Sequence, residues 1–268
     1  MKDREAVVAG QFYSGDPNEL RRNIGSFIRE SGSLIEAKAV VVPHAGYVYS
    51  GAVAGQVFSA VHLPKRIILL GPNHTGRGAP LALSPAGEWH TPLGKVRIDE
   101  DMNQGLMKLL PDLKEDGSAH RNEHSLEVQI PFIQVLQPDF RFSAICVKTI
   151  DYAALEALGH AMADVIRSLQ EPVLLVASSD MTHYETAEEA SKQDQFAIDR
   201  ILAIDPYGLY KTVIEKDITM CGFAPTASVL VACRDLGASS GRLIRYTNSG
   251  EASGDYRRVV AYAGIAVI

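Results

Sequence analysis

The sequence predicts an α/β fold with a mostly parallel central sheet flanked by helices. Short runs of apolar, often β-branched residues recur along the chain, and each stops at a polar or Gly/Pro-containing cluster: 40–42, 67–70, 143–147 and 173–176. Such runs are typical of strands buried on both faces, as in parallel sheets. Segments with helical spacing alternate with these runs, which is the pattern of a doubly wound sheet.

Local signals predict the individual elements in order. A helix should begin after Asp16, which can cap it, because Pro17 suits the first turn and Glu19 completes a capping box; it should run to about Ser31. Further helices are predicted over 51–58, 100–110, 123–136 and 152–169, and helical patterns fill most of 187–236. Pro131 should kink its helix or shift its boundary. Residues 71–94 should be irregular with a hairpin, and 242–247 and 258–267 should be late strands.

Composition indicates a globular protein with a sizeable core. The chain has 268 residues, of which 46% are hydrophobic and 22% are charged. No linker, repeat or low-complexity segment is visible, so residues 1–268 are predicted to form a single domain. The three cysteines are odd in number and far apart in the sequence, so no disulfide framework is expected.

Charge and hydropathy exclude several function classes. The net charge of -6 argues against a nucleic-acid or anionic-membrane surface. No apolar stretch approaches the roughly 18 residues of a membrane helix, and the charged N-terminus lacks the apolar core of a signal peptide. A cytoplasmic location is therefore expected. The glycines of 71–78 lack the Lys-Ser/Thr ending of a P-loop, so no nucleotide cofactor is expected.

Three of the four apolar runs lead directly to a histidine-bearing loop. His44, His74 and His183 follow these runs, whereas the fourth leads to Lys148 and Thr149. Loops at the carboxyl ends of parallel strands form the ligand crevice of such sheets. Neutral imidazole is the commonest metal ligand, so His44 and His74 are predicted to hold a metal. The alternative is that each imidazole only binds a loop backbone.

Asp180 and Cys221 extend this predicted site. Asp180 could ligate a metal or orient an imidazole, and His183 could act as a third ligand or a general base. Alternatively, residues 178–180 cap a helix and His183 is exposed. Cys221 precedes the helical stretch 227–234, whose N-terminus should lower the thiol pKa, although free cysteine is also often simply buried. Two histidines and a thiolate suit iron(II), copper or zinc and disfavour magnesium or calcium.

Four further residues are assigned to substrate binding. His124 and Glu127 should share one face of the helix predicted over 123–136, where they form an acid/base pair, support the ligands or face solvent. Tyr47 and Tyr49 flank His44 and could line a pocket, although aromatic residues near loops need no such role.

Ordered motifs along the chain resemble the Memo family, whose bacterial and archaeal members are called AmmeMemoRadiSam system protein B. They are VAGQFY at 8–13, PHAGYVYSG at 43–51, GPNH at 71–74, EHSLEVQIPF at 123–132, Ser178-Ser179-Asp180 with His183, and Cys221-Gly222. The resemblance runs from the first ten residues almost to the C-terminus. It implies a fold like that of class III extradiol dioxygenases.

The resemblance also implies a site and partners. It makes His44, His74 and Cys221 the metal ligands, with His183 and Asp180 in the same pocket. Extradiol dioxygenases hold iron(II) with two histidines and a carboxylate; a thiolate instead is softer, suits iron(II) or copper and weakens the case for ring cleavage. The family name implies a functional link to a radical-SAM protein and an AMMECR1-like protein.

Three functional hypotheses remain open from the sequence. The first is a redox enzyme in which iron(II) or copper leaves open positions for oxygen and substrate, while His183 moves protons with help from Asp180. The second is a binding module in which the pocket captures a peptide or small anion without turnover. The third is a zinc hydrolase in which His183 or Glu127 acts as the base.

Overall fold

The computed structural model describes residues 3–29 and 32–268, and one twisted sheet runs through them. Its strands are β1 Ala39–Val42, β2 Arg66–Pro72, β3 Leu81–Leu83, β4 Glu88–Thr91, β5 Gly94–Ile98, β6 Lys114–Glu115, β7 Arg141–Val147, β8 Val173–Ser178, β9 His183–Glu185, β10 Gly241–Asn248 and β11 Val259–Val267. The main path is β10-β11-β1-β8-β2-β7-β3-β6, with β4 and β5 as a hairpin beside β7 and β9 paired to β11.

The centre of the sheet is parallel and its flanks are largely antiparallel. Strands β1, β8, β2 and β7 pair in parallel, so their carboxyl ends lie at one edge. By contrast, β11 runs antiparallel to β1 and β10, and β3 runs antiparallel to β7. The predicted α/β class is confirmed, and the parallel arrangement belongs to the central strands that carry the predicted site.

Helices cover both faces of the sheet. They are α1 Pro17–Phe27, α2 Tyr47–Ala60, α3 Glu100–Leu109, α4 Gly117–His120, α5 Ile130–Leu136, α6 Tyr152–Ser168, α7 Ala187–Leu202, α8 Pro206–Glu215, α9 Phe223–Asp235 and α10 Gly250–Ser253. Helices α1, α2 and α5 pack on one face, and α3, α6, α7, α8 and α9 pack on the other. Within the described residues, no helix combines the length and apolarity needed to cross a membrane.

The apolar runs alternate between two cores, which explains why they read as uniformly hydrophobic. Val41 and Ile68 join the core beneath α6 and α9, whereas Val40 and Ile67 join the core beneath α2 and α5. Successive side chains of a strand point to opposite faces, so both sets must be apolar when both faces are covered.

The helix predicted over 123–136 is wrong in its first half. Residues 121–122 and 125–126 form turns, 123–124 are irregular, and Glu127–Gln129 forms one turn of 3-10 helix. Helix α5 begins only at Ile130, with Pro131 in its first turn, where a missing N–H costs nothing. Pro131 therefore shifts the boundary, one of its two predicted effects. The first helix ends at Phe27, and its predicted end at Ser31 lies outside the described residues.

Candidate functional site

A cavity of about 480 Å³ opens at the carboxyl edge of the central strands. Its lining includes four predicted site histidines, His44, His74, His124 and His183, together with Asp180 and Tyr49. The remaining lining residues are Phe12, Ala45, Gly46, Tyr184, Ser249, Ser253, Arg258, Val260 and Tyr262. The parallel strands thus bring the predicted histidine loops to one cavity, as the strand ends indicated.

Three of these imidazoles lie close enough to hold one metal ion. Ligand atoms of His44, His74 and His124 all lie within 4.8 Å of one another. The ring of His44 stands nearly perpendicular to the other two, at 79° to His74 and 85° to His124. The rings of His74 and His124 are instead stacked, with an angle of 24° between their planes.

Hydrogen bonding fixes which nitrogen of His44 is free. The Ser178 hydroxyl donates to the Ser125 carbonyl at 2.6 Å and accepts from Gln129 Nε2 at 2.9 Å. Because the Ser178 hydroxyl already donates its proton to Ser125, it can only accept from His44 Nδ1, which lies 3.0 Å away. Burial, reinforced by the nearby imidazoles, holds the pKa of His44 well below its ordinary value. His44 is thus neutral and leaves its Nε2 lone pair available.

Glu123 fixes His74 in the same way. Glu123 Oε1 lies 2.9 Å from His74 Nδ1, and Oε2 accepts from the His74 backbone N–H at 2.6 Å. Burial alone would raise the pKa of Glu123, but the hydrogen bond from His74, its charge and the Ser125 N–H together lower it to about 2. The carboxylate can only accept, so His74 Nδ1 carries a proton and Nε2 is the nitrogen left for a metal.

Cys221 reaches the cluster from a distant part of the sequence. Its Sγ lies 3.2 Å from His44 Nε2 and accepts from the Asp180 backbone N–H at 3.3 Å. Glycine at 222 permits this approach, since a Cβ there would lie 2.4 Å from the Ser178 carbonyl oxygen. Burial, with the Asp180 charge, raises the thiol pKa, so the lowering expected from the helix N-terminus is overcome by desolvation.

Asp180 holds the His44 loop in place. Its Oδ1 accepts from the backbone N–H groups of His44, at 2.7 Å, and Ala45, at 3.3 Å, while Oδ2 lies 4.0 Å from His44 Nε2. Burial raises the pKa of Asp180, and those two N–H groups oppose the rise. Asp180 therefore positions one predicted ligand with its carboxylate and a second, Cys221, with its backbone.

Thr219, and not Asp180, orients His183. His183 Nδ1 lies 2.9 Å from the Thr219 carbonyl oxygen, and the His183 backbone N–H donates to the Thr219 hydroxyl at 2.7 Å. A carbonyl only accepts, so Nδ1 carries the proton of the neutral ring. The basic nitrogen of His183 is consequently Nε2. Residues 178–180 cap no helix, because strand β9 follows them.

Two residues predicted to bind substrate lie away from the cavity. Glu127 is fully buried and binds Arg4 at 2.7 Å, the Tyr13 hydroxyl at 2.7 Å and the backbone N–H groups of Val7 and Val8. Tyr47 is buried too, and its hydroxyl donates to the Val128 carbonyl. Because residues 121–126 are not helical, His124 and Glu127 do not share a helix face. His124 lines the cavity, whereas Glu127 binds the N-terminal segment 4–13.

Comparisons with known proteins agree with this architecture. A family model described as "Memo-like protein" matches residues 4–266. The chain belongs to the Memo family. A MEMO1 family protein of Methanopyrus kandleri is 41% identical over 277 residues, and one of Aquifex aeolicus is 39% identical over 267 residues. The alignments cover 98% of both chains in the first case and 99% of both in the second.

The Memo fold also has a distant structural neighbour. The crystal structure of an Escherichia coli K12 protein superposes with a TM-score of 0.51 at 13% sequence identity, covering 85% of this chain and 99% of that one. At this identity the likeness concerns the fold alone. The α/β architecture expected from the dioxygenase resemblance is confirmed.

Sequence reasoning left several residues around this site of the Memo-family protein unassigned. Glu123 and Ser178 orient the imidazoles, and Arg258 brings a cation to the cavity. A signal existed for Glu123, since it directly precedes a histidine in the motif EHSLEVQIPF. No local pattern marks Arg258, because its place depends on how β11 meets β9.

Glu123→Gln should weaken metal binding without removing a ligand. An amide can still contact the imidazole of His74, but it no longer supplies the negative charge that raises ligand basicity. We expect the metal dissociation constant to rise about 10–100-fold, which is typical for loss of such a supporting carboxylate. Chelator competition on the variant and the wild type would measure this rise, and an unchanged constant would contradict the role given to Glu123.

Acid stability should change in the same variant. Because the folded state lowers the pKa of Glu123 from 4.5 to about 2, its stabilising contribution is complete above pH 4.5 and is lost as the pH falls towards 2. The metal-free Glu123→Gln protein should therefore lose less stability than the metal-free wild type across this interval. Denaturant unfolding at a series of pH values would test the difference; parallel curves would count against it.

Proposed function

We propose that this Memo-family protein is a metal-dependent redox enzyme of dioxygenase-like type that uses iron(II) or copper. The observation that carries the proposal is that ligand atoms of His44, His74 and His124 lie within 4.8 Å of one another in the lining of an open cavity, with the Cys221 thiol 3.2 Å from His44 Nε2. Each imidazole is anchored through Nδ1 by a dedicated acceptor. Such anchoring is the usual support for a metal ligand and is hard to explain for a plain binding groove.

We assign His44, His74 and Cys221 as the ligands and leave His124 to contact substrate. His74 and His124 are stacked with 24° between their ring planes, and we propose that only one of this pair ligates the metal. Of the stacked pair, His74 is the better anchored, with Nδ1 2.9 Å from Glu123 compared with 3.5 Å for His124. Cys221 already lies against His44 Nε2.

The donor set fits a borderline or soft metal. Two imidazoles and a thiolate suit iron(II), copper or zinc, and they suit magnesium or calcium poorly. Iron(II) or copper, when bound, supplies one-electron redox chemistry. The Cys221 thiol, whose pKa is raised by burial, must lose its proton to act as a ligand. Metal binding should therefore release a proton and become stronger as the pH rises.

The other cavity residues would handle substrate and protons. His183 would accept or return a proton at Nε2, since Nδ1 is committed to Thr219. Asp180 would hold the His44 loop and Cys221 in position through its carboxylate and its backbone N–H. His124 and Tyr49 would contact the substrate from the cavity wall. As partners we propose, from the family, a radical-SAM protein and an AMMECR1-like protein.

Metal analysis of anaerobically purified protein tests this function. The wild type should carry near-stoichiometric iron or copper, and His44→Ala should carry almost none while folding normally, as circular dichroism would show. Oxygen consumption would then be screened. Stoichiometric zinc would favour the hydrolase, in which zinc would lower the pKa of water and His183 would act as the base. A wild type that binds no metal even after reconstitution would overturn the proposal and favour the binding module.

A further inference from the structure

Arg258 is a cation at the mouth of the cavity for which the described part of the chain provides no acidic partner. Its guanidinium lies over the ring of Tyr184, with Cζ 5.0 Å from the ring centroid. Within that part of the chain no ion pair involves Arg258, whereas the adjacent Arg257 forms a two-pronged ion pair with Asp255. Arg258 is also the one lysine or arginine in the described cavity lining.

A β-bulge places Tyr184, and with it the Arg258 guanidinium that lies over its ring, at the cavity. The register of β9 against β11 shifts between Val259 and Val260, which leaves Tyr184 without a partner in the ladder. Tyr184 adopts a φ of 66°, a conformation that is costly for a bulky side chain. Consecutive residues of a regular strand point to opposite faces, yet His183 and Tyr184 both line the cavity. The strained residue thus supports Arg258 beside the proposed proton-transfer group.

The charges of the cavity are separated along its depth. The single carboxylate of the described lining, Asp180, lies at the closed end and is occupied by the backbone N–H groups of His44 and Ala45. Arg258 lies at the exposed end. An anionic group of a ligand would therefore be attracted to the mouth, and the opposite end of the same molecule would face the histidines.

The size and walls of the cavity define the body of such a ligand. Aromatic side chains in the lining are Phe12, Tyr49, Tyr184 and Tyr262. The volume of about 480 Å³ is in the range of small-molecule sites. These features suit a planar or largely apolar molecule of small size better than a peptide chain.

We propose that Arg258 selects the substrate of this site, a small planar molecule that carries a carboxylate or phosphate group. The anion binds the guanidinium at the mouth, and the opposite end of the molecule reaches the imidazoles. This inference rests on the proposed function only in treating the bound molecule as the substrate. The anion selectivity itself requires no metal.

Benzoate, phenyl phosphate and the neutral isostere benzamide serve as probes, with affinities measured by calorimetry or ligand-detected NMR on metal-free and iron(II)-loaded protein. The wild type should bind an anionic probe about tenfold more tightly than benzamide, the usual effect of one charge-assisted hydrogen bond. Arg258→Met should abolish this preference, and Arg258→Lys should keep part of it. Comparison of benzoate with phenyl phosphate identifies the favoured anion. Arg257→Met is the matched control and should behave like the wild type.

The outcomes separate this inference from the metal proposal. A wild type without anion preference, an Arg258→Met protein that keeps it, or an Arg257→Met protein that loses as much would overturn the role of Arg258. A phosphorylated peptide that binds more tightly than every small probe would overturn the small-molecule assignment. Metal content, measured separately in each variant, should be unchanged. Failure to bind metal would reject the enzyme proposal while the metal-free titration still tested Arg258.

Discussion

Glu127→Ala is expected to lower the free energy of unfolding by about 3–5 kcal/mol, the usual cost of breaking a buried ion pair from one side. The carboxylate accepts from Arg4, the Tyr13 hydroxyl and the backbone N–H groups of Val7 and Val8, and its side chain has no solvent exposure. Its removal leaves a nearly buried guanidinium and three further donors without their acceptor. Desolvation of unpaired donors, rather than lost contact area, dominates the effect.

Denaturant unfolding of metal-free proteins would measure this loss. Glu188→Ala is the matched control, because Glu188 is an exposed helix residue paired with Lys192 and should change stability by no more than about 0.5 kcal/mol. Glu127→Gln should fall between the two, since its amide oxygen still accepts but its NH₂ group faces other donors. A folded Glu127→Ala protein with wild-type stability and weakened substrate binding would contradict this stability role and support the substrate-binding role predicted from the sequence.

Cys221→Ser should weaken iron(II) or copper binding more than about 100-fold, whereas His124→Gln should weaken it less than about tenfold, the lower limit for a residue that merely supports a site. The serine hydroxyl is a poor ligand for these metals, and Cys221 lies 3.2 Å from His44 Nε2. His124 is stacked on His74 and is less closely anchored, with Nδ1 3.5 Å from Glu123, so its loss should leave the proposed ligand set of His44, His74 and Cys221 intact.

Anaerobic chelator competition would give both affinities, and thiolate-to-copper charge-transfer absorption would report the sulfur directly. The wild type and His124→Gln should show this band and release a proton on metal binding at neutral pH; Cys221→Ser should show neither. The opposite order of affinities, with metal retained by Cys221→Ser and lost by His124→Gln, would replace the proposed ligands with the three imidazoles that lie within 4.8 Å of one another.

The sequence by itself was sufficient to predict the central sheet and the edge at which the site forms. Strand burial on both faces requires uninterrupted apolar runs, and a parallel sheet brings the ends of those runs together. His44, His74 and His183 could therefore be assigned to one rim from local patterns alone. Most helices were predicted for the same reason, since their apolar spacing and caps are local properties.

Only the tertiary structure decided how the side chains around that rim are used. The sequence predicts that Glu127 binds substrate, yet its carboxylate pairs with Arg4, 123 residues away in the sequence, and Glu127 does not line the cavity. Cys221 meets His44 across 177 residues, and Arg258 lies at the cavity against Tyr184, the bulged residue of β9. Hydrogen-bond partners, burial and charge balance depend on contacts between distant segments, and these are formed by packing rather than by the periodicity of any one segment.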